Sequence, residues 1–368
     1  MKIVFIIYGL QAGGAERAVT GLANYWAETH NVSIITLVNT KSFYPLNSKI
    51  KRYFCLEQPK EKTTILQSLK DVFLRLKKLK YFLKKENPDV VLSFMMKTNI
   101  YSTWVAKSLK IPCIVSERAN HDFDKLPRMQ ERLRDFSYRY ISKLVVQTEG
   151  NKNYYQKTVE LSKIKVIPNG VADTLQNQRN TQTLKNCTKE KIILNVGAFR
   201  NGKAQDILIK SFAKIKAPDW RLIFLGQGPN LEKIKNLVIK LGISNRVEFA
   251  GAKQNVAFFY QQASLFVFTS EHEGFPNALL EALYFGLPCI STNCPHGPAD
   301  LIKNGQNGYL VPVGNQEQLT RKIIELIEDS ELRKRFSAEA IVNSRKYEME
   351  TIANQWMNLI KSVVVIES

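Results

Sequence analysis

Short apolar runs rich in Val and Ile alternate with helical stretches along nearly the whole chain, and few architectures accept that rhythm. In the first half the strand candidates are 2–10, 32–38, 89–94, 111–116, 143–147 and 164–167. In the second half they are 191–196, 220–226, 246–250, 264–269, 287–292 and 308–312. Between them apolar residues return at helical spacing, as in Ala15, Ala18, Val19, Leu22, Ala23 and Trp26. A run such as Ile111-Pro112-Cys113-Ile114-Val115 is apolar at consecutive positions, which suits a strand covered on both faces by helices. Strand and helix in alternation predict an α/β chain with parallel, doubly wound sheets.

At 368 residues the chain exceeds what one core usually holds, about 250–300 residues, so two domains are expected. A hydrophobic fraction of 44% excludes a disordered chain. The seam is visible: after Ile167-Pro168-Asn169-Gly170 comes the polar stretch Val171–Glu190, and a fresh strand opens at Lys191. The expected organisation is an N-terminal domain over 1–170, a linker over 171–190 and a C-terminal domain over 191–348. A last helix over 349–368, apolar at Ile352, Trp356, Leu359, Ile360 and Val363, is expected to cross back to the N-terminal domain. Two Rossmann-like domains in tandem face a central cleft, and ligands of such sheets bind at the C-terminal edges of the strands. The five cysteines are scattered and never spaced CxxC, so neither a disulfide framework nor a zinc site is suggested. No apolar run approaches the roughly 18–20 residues of a membrane span. Lys2–Leu10 lacks the cleavage site of a signal peptide and reads as a buried first strand. A soluble cytoplasmic protein, peripheral to a membrane at most, is expected.

The formal charge of +20 is unevenly spread. Residues 1–168 hold 29 Lys and Arg against 14 Asp and Glu, whereas residues 169–368 hold 24 against 19. The densest stretch, Thr63–Lys85, has seven basic residues on an apolar helical pattern (Leu69, Val72, Phe73, Leu76, Leu79, Phe82). One reading is a helix packed on its own domain with a solvated Lys face. The other is a basic face that meets anionic lipid headgroups or a phosphorylated acceptor. Basicity also raises nucleic-acid binding as a rival function, but the charge lies away from any recognisable RNA or DNA module.

Four segments carry candidate chemistry. In Ser270–Ala282 a strand runs into the loop Glu273-Gly274-Phe275-Pro276 and a helix opens near Asn277, where bare backbone amides make an anion site. Glu273 stands at that loop and Glu281 about two turns on, placed to accept hydrogen bonds from sugar hydroxyls. In Val196–Lys203 a strand enters a turn at Gly197 with two cations, Arg200 and Lys203, facing the cleft, where they suit negative charge on a ligand. Gly13-Gly14 lets backbone approach a phosphate at the start of a helix or simply makes a tight turn, and it is not G-x-G-x-x-G. Ser116–Asp122 follows a strand, so Glu117, Arg118 and His121 either orient an acceptor or form a structural network. Asp122-Phe123-Asp124 is formally D-x-D, a match that chance produces easily, and no metal is expected. Asn186-Cys187-Thr188 is a glycosylation sequon without an export signal.

Glu273 to Glu281 resembles the E-x7-E motif of the family 4 retaining glycosyltransferases, which have the GT-B fold of two Rossmann-like domains. The resemblance extends over the chain. Gly13-Gly14-Ala15-Glu16-Arg17 is similar to the family's first glycine loop, Ile167–Val171 to its pre-linker strand, and Gly226-Gln227-Gly228-Pro229 to its G-x-G-P turn. Asn293–Ile302, with Asp300 for the usual Glu, resembles members that extend lipid-linked bacterial glycans. The resemblance implies a UDP-sugar donor and no cofactor, with transfer of an N-acetylhexosamine, GalNAc or GlcNAc, to a polyprenyl-diphosphate-linked saccharide at the inner membrane face. It implies that Glu281 binds ribose and Glu273 the hexose. Gly197, Gly226, Gly228, Gly274, Phe275, Pro276, Asn277, Ala278 and Leu279 would line the donor, and Gly13 and Gly14 the acceptor and phosphate side. Where the family has Gly-Arg-Leu this chain has Gly197-Ala198-Phe199, so Arg200 is the candidate replacement for the missing guanidinium beside Lys203. A sugar-nucleotide epimerase on a related fold is a further rival.

Overall fold

The computed structural model describes residues 1–57, 65–118, 126–179, 189–253 and 255–364. The chain divides into two compact units, Met1–Ala172 with Met349–Ser368, and Asp173–Glu348.

The first unit is built on a parallel sheet of β1 (Lys2–Ile7), β2 (Asn31–Val38), β3 (Lys51–Leu56), β4 (Val90–Phe94), β5 (Cys113–Ser116), β6 (Lys143–Val146) and β7 (Ile164–Val166). Their spatial order is β3-β2-β1-β4-β5-β6-β7. The second unit has β8 (Ile192–Val196), β9 (Arg221–Leu225), β10 (Val247–Gly251), β11 (Leu265–Phe268), β12 (Cys289–Thr292) and β13 (Gly308–Val311), ordered β10-β9-β8-β11-β12-β13. Every strand pair is parallel, and central strands such as β1 and β4 are buried at consecutive positions because helices cover both faces. In each sheet the winding reverses once, between β1 and β4 and between β8 and β11. Those reversal points open crevices at the strands' carboxyl ends.

All twelve strand candidates form strands, and β3 is an addition. Its sequence, Lys-Arg-Tyr-Phe-Cys-Leu, is charged at its start, and its burial pattern shows Cys55 alone fully buried. An edge strand half open to water lacks the apolar run by which its neighbours were recognised.

The helix Ile65–Glu86 realises the basic amphipathic pattern; residues 63 and 64 lie outside the described residues. Leu79 and Leu83 are fully buried, and Phe82 stacks on Tyr53 of β3 at 4.9 Å. Phe73 and Tyr81 instead point outward, 66% and 61% exposed. Glu86 ties the helix end to the sheet, accepting hydrogen bonds at 2.6 Å from both Ser33 of β2 and Tyr53 of β3.

The helix Met349–Lys361 belongs to the first unit. Its buried line Met349, Ile352, Ala353, Trp356 and Ile360 completes the core against β1, β4 and the helix Gly14–Trp26. Trp356 stacks on Phe94 at 5.8 Å. Gly21 is needed for this fit, since a Cβ there would fall 2.6 Å from the Met349 methyl. Of the polar stretch 171–190, Asp173–Arg179 is helical, with Leu175 buried and the Arg179 guanidinium 4.5 Å above the Tyr284 ring.

Candidate active site

In the second unit the crevice lies between the ends of β8 and β11. From β8 the chain passes through Gly197–Ala204 into the helix Gln205–Ala213. From β11 it passes through Thr269–Pro276 into the helix Asn277–Tyr284. The two loops are stitched together: Thr269 Oγ1 donates to the Lys203 carbonyl at 2.9 Å, and the Glu271 amide donates to the Gly202 carbonyl at 2.8 Å. Across the seam Lys203 Nζ pairs with Glu273 Oε1, both side chains being 15% exposed or less. A hydrogen-bonded ion pair this sheltered resists screening, so each partner holds the other in one rotamer.

Backbone strain gathers at the same place. Ala204 and His296 have φ of 46° and 64°, unusual for residues with a side chain. Gly202, at φ 82°, lies under the His272 ring, and a Cβ there would sit 2.4 Å from the ring's Cε1. Gly226 and Gly228 have a packing role: a Cβ on them would strike the carbonyl oxygens of Gly197 and Phe199 at 2.0 and 2.3 Å. They let the turn after β9 lie flat on the turn after β8. A Cβ at Gly197 would meet open space.

At the start of the helix Asn277–Tyr284 the Asn277 and Leu279 amides are taken by the Phe275 and Pro276 carbonyls, at 3.0 Å each. The amides of Gly274, Phe275 and Ala278 donate to no carbonyl among the described residues. Glu281 is buried at 4% exposure, and Tyr260, fully buried, donates its hydroxyl to Glu281 Oε2 at 3.0 Å. Tyr260 is itself stacked on Phe285 at 5.5 Å. Cys294 lies close to Glu273 and Lys203, and burial, aided by the Glu273 charge, pushes its thiol up to about 12. It is therefore an inert neighbour. Arg200 is exposed and makes no ion pair among the described residues.

The first unit has its own crevice. Gly13 precedes the helix Gly14–Trp26, whose N-terminus no side chain caps, and its carbonyl accepts from the Tyr44 hydroxyl at 3.4 Å. A Cβ on Gly13 would meet only the end of the flexible Glu16 side chain, whose carboxyl burial pushes up. Glu117 is 1% exposed, taking hydrogen bonds from the Tyr138 hydroxyl and from Asn99 Nδ2, the latter at 3.2 Å. Arg118 lies 4.9 Å from the Phe94 ring centre and donates to Asn169 Oδ1 in the Pro168-Asn169-Gly170 turn. Burial drives the Arg118 pKa down to about 9 against the opposing pull of Glu117. His121, Asp122 and Asp124 lie outside the described residues, as do Asn186, Cys187 and Thr188. At the β1 end a cavity of about 420 Å³ is lined by Tyr8, Arg75, Lys97, Ile100 and Tyr101 among others.

Two family models cover this chain in succession, Glycosyltransferase Family 4 over residues 12–175 and Glycosyl transferases group 1 over 176–342. A Campylobacter jejuni protein, GalNAc-alpha-(1->4)-GalNAc-alpha-(1->3)-diNAcBac-PP-undecaprenol alpha-1,4-N-acetyl-D-galactosaminyltransferase, is 31% identical over 99% of both chains. The chain is a family 4 glycosyltransferase. A second C. jejuni galactosaminyltransferase, acting on N-acetylgalactosamine-N,N'-diacetylbacillosaminyl-diphospho-undecaprenol, is 26% identical over 96% of this chain and 97% of its own. Among solved structures, Anabaena HepE in complex with UDP superposes with a TM-score of 0.80 at 19% identity, covering 98% of this chain and all of that one. The fold of this glycosyltransferase is GT-B, and its reaction is glycosyl transfer.

Sequence reading missed Tyr260, Thr269 and His272 as parts of the site. Tyr260 sits in Phe258-Phe259-Tyr260-Gln261-Gln262, where nothing sets it apart from a core aromatic, and its link to Glu281 is a tertiary contact. Thr269 and His272 flank the recognised motif, but their partners, Lys203 and Gly202, come from a loop about seventy residues away. No helix among the described residues is long and apolar enough to cross a membrane.

Proposed function

We propose that this glycosyltransferase moves N-acetylgalactosamine from UDP-GalNAc to a polyprenyl-diphosphate-linked saccharide, with retention of the α configuration. The observation that carries the reading is the Lys203–Glu273 pair at the reversal point of the second sheet. It sets a cation for phosphate beside a carboxylate for sugar hydroxyls. The two C. jejuni relatives, alike from end to end, support the choice of sugar and of lipid-linked acceptor.

In this reading the C1–oxygen bond to the diphosphate breaks while an acceptor hydroxyl bonds to C1 on the same face, and its proton passes to the departing phosphate oxygen. Lys203 stabilises the charge that grows on that phosphate, and exposed Arg200 swings in to replace the guanidinium absent at Ala198. Glu273 orients the hexose and Glu281 the ribose. The amides of Gly274, Phe275 and Ala278 hold the donor from the helix side. Gly13, Gly14 and Arg118 serve the acceptor and its phosphates, with Glu117 steadying the Arg118 loop from beneath. The basic helix Ile65–Glu86 faces the anionic, membrane-borne partner at the inner face of the cytoplasmic membrane.

The test is transfer from UDP-GalNAc to a purified lipid-linked saccharide, with product mass by mass spectrometry and anomeric configuration by NMR. A gain of N-acetylhexosamine with α configuration is expected. An inverted product, conversion of UDP-GalNAc to another UDP-sugar without acceptor, or salt-dependent oligonucleotide binding with no transfer would overturn the reading.

A further inference from the structure

Among the described residues an apolar line of the first unit is left largely open to solvent, Leu133 in it also lining the cavity beside Arg75 and Lys97. Along the helix Arg128–Tyr138 and its final turn, Met129, Leu133, Phe136 and Tyr140 recur at i, i+4, i+7 and i+11, one face of a helix. They are 82%, 49%, 44% and 40% exposed. The opposite line needs no such surface, because Arg134, Ser137 and Tyr138 already bury it in the unit's core. Trp104, on the neighbouring helix Met96–Leu109, extends the outer line, its ring 5.7 Å from Phe136 and 5.4 Å from Tyr140. Its indole N–H is spent on Ser137 Oγ at 3.0 Å.

Charge on this face is sorted by sign. Glu131 and Asp135 turn toward buried Arg134, at 3.5 and 2.8 Å. Lys107, Arg128, Arg132 and Arg139 stay exposed and form no ion pair among the described residues. Lys107 Nζ lies 3.1 Å from the Tyr140 ring centre, and the Arg139 guanidinium 5.7 Å from that of Phe136. Aromatic rings with an apolar flank and a cation at the rim are the composition that settles at a bilayer interface, whereas a protein-binding patch of this cationic kind would need an acidic partner of matching shape.

We propose that the face formed by Trp104, Lys107 and the Met129–Tyr140 line seats on an anionic lipid bilayer, its rings entering the headgroup layer and its arginines pairing with lipid phosphate. This deepens the reading of a membrane-borne acceptor, on which it rests, and assigns the apolar anchor to a helix other than the basic segment Ile65–Glu86.

The experiment is co-sedimentation of the full chain with vesicles of phosphatidylcholine alone or with 40% phosphatidylglycerol. Binding to the anionic vesicles is expected, with a loss of about tenfold or more in M129S/F136S/Y140S. Because the aromatic substitutions touch Trp104, the surface variant R128E/R132E is the independent arm: it is expected to keep the wild-type Tm and to lose on the order of tenfold or more in affinity for the anionic vesicles. Wild-type affinity in both variants overturns the proposal. So does a wild-type dimer in sedimentation that F136S alone makes monomeric, which would give the face to a second copy. Since vesicle binding is read without sugar transfer, failure of the assigned reaction leaves this outcome distinguishable. Transfer to a soluble acceptor analogue is expected to stay unchanged in R128E/R132E.

Discussion

At the residue scale, the proposed mechanism rests on a few contacts that cross the β8–β11 crevice. Replacing Lys203 by Ala removes the cation nearest the assigned diphosphate, and turnover is expected to fall about 100- to 1,000-fold, as it does when one electrostatic donor to a developing anion is lost. The measurement is single-turnover transfer; wild-type rates in that variant would remove Lys203 from the mechanism. Tyr260 acts one step back, by holding Glu281. Tyr260→Phe deletes a hydrogen bond to a charged, buried acceptor, an interaction of about 1.5–3 kcal/mol. Donor KM is therefore expected to rise about tenfold or more with kcat changed far less, and an unchanged UDP affinity by calorimetry would show that Glu281 does not touch the nucleotide. Gly202→Ala forces a side chain into a φ of 82° and into the His272 ring, so the stitched loops must shift. Activity is expected to drop more steeply than Tm.

At the element scale, the helix Ile65–Glu86 is fixed to the sheet through Glu86. Burial raises this carboxyl's pKa, but hydrogen bonds from Ser33 and Tyr53 and the Lys51 charge lower it by more, so the net shift is downward. A depressed carboxylate pKa contributes stability above the unfolded value near 4.5, and that contribution fades as pH falls through the folded value. Glu86→Gln is expected to destabilise the first unit by about 1–3 kcal/mol at pH 7, with the gap to wild type closing toward pH 3. Denaturant melts at the two pH values check it, and a pH-independent gap would exclude the ionised form as the cause. The elements recognised from sequence were those with unbroken apolar runs or a strong helical period. β3 escaped because an edge strand needs neither, its Lys51, Arg52 and Phe54 standing in solvent.

At the scale of the molecule, a closing segment from the far end of the chain completes the first unit's core. Trp356 fills the space between Phe94 and the helix Gly14–Trp26, and Trp356→Ala is expected to cost about 3–5 kcal/mol, read as a lower melting midpoint. A chain ended at Glu348 would bare Phe94, Val19 and Leu22, and loss of the first unit's cooperative transition is expected.

Local information was enough for the two parallel sheets, for the glycine turns, and for singling out Lys203, Glu273 and Glu281 as candidates, because strand and helix periods and short motifs are written in neighbouring residues. What lay beyond it were contacts between residues distant along the chain: the clasp of Lys203 on Glu273, the hold of Tyr260 on Glu281, and the burial of Glu117 under Tyr138. The outward turn of Met129, Leu133, Phe136 and Tyr140 belongs with them. An apolar line looks the same in sequence whether it meets a core or water, and only the packing of the whole unit decides which side is already filled.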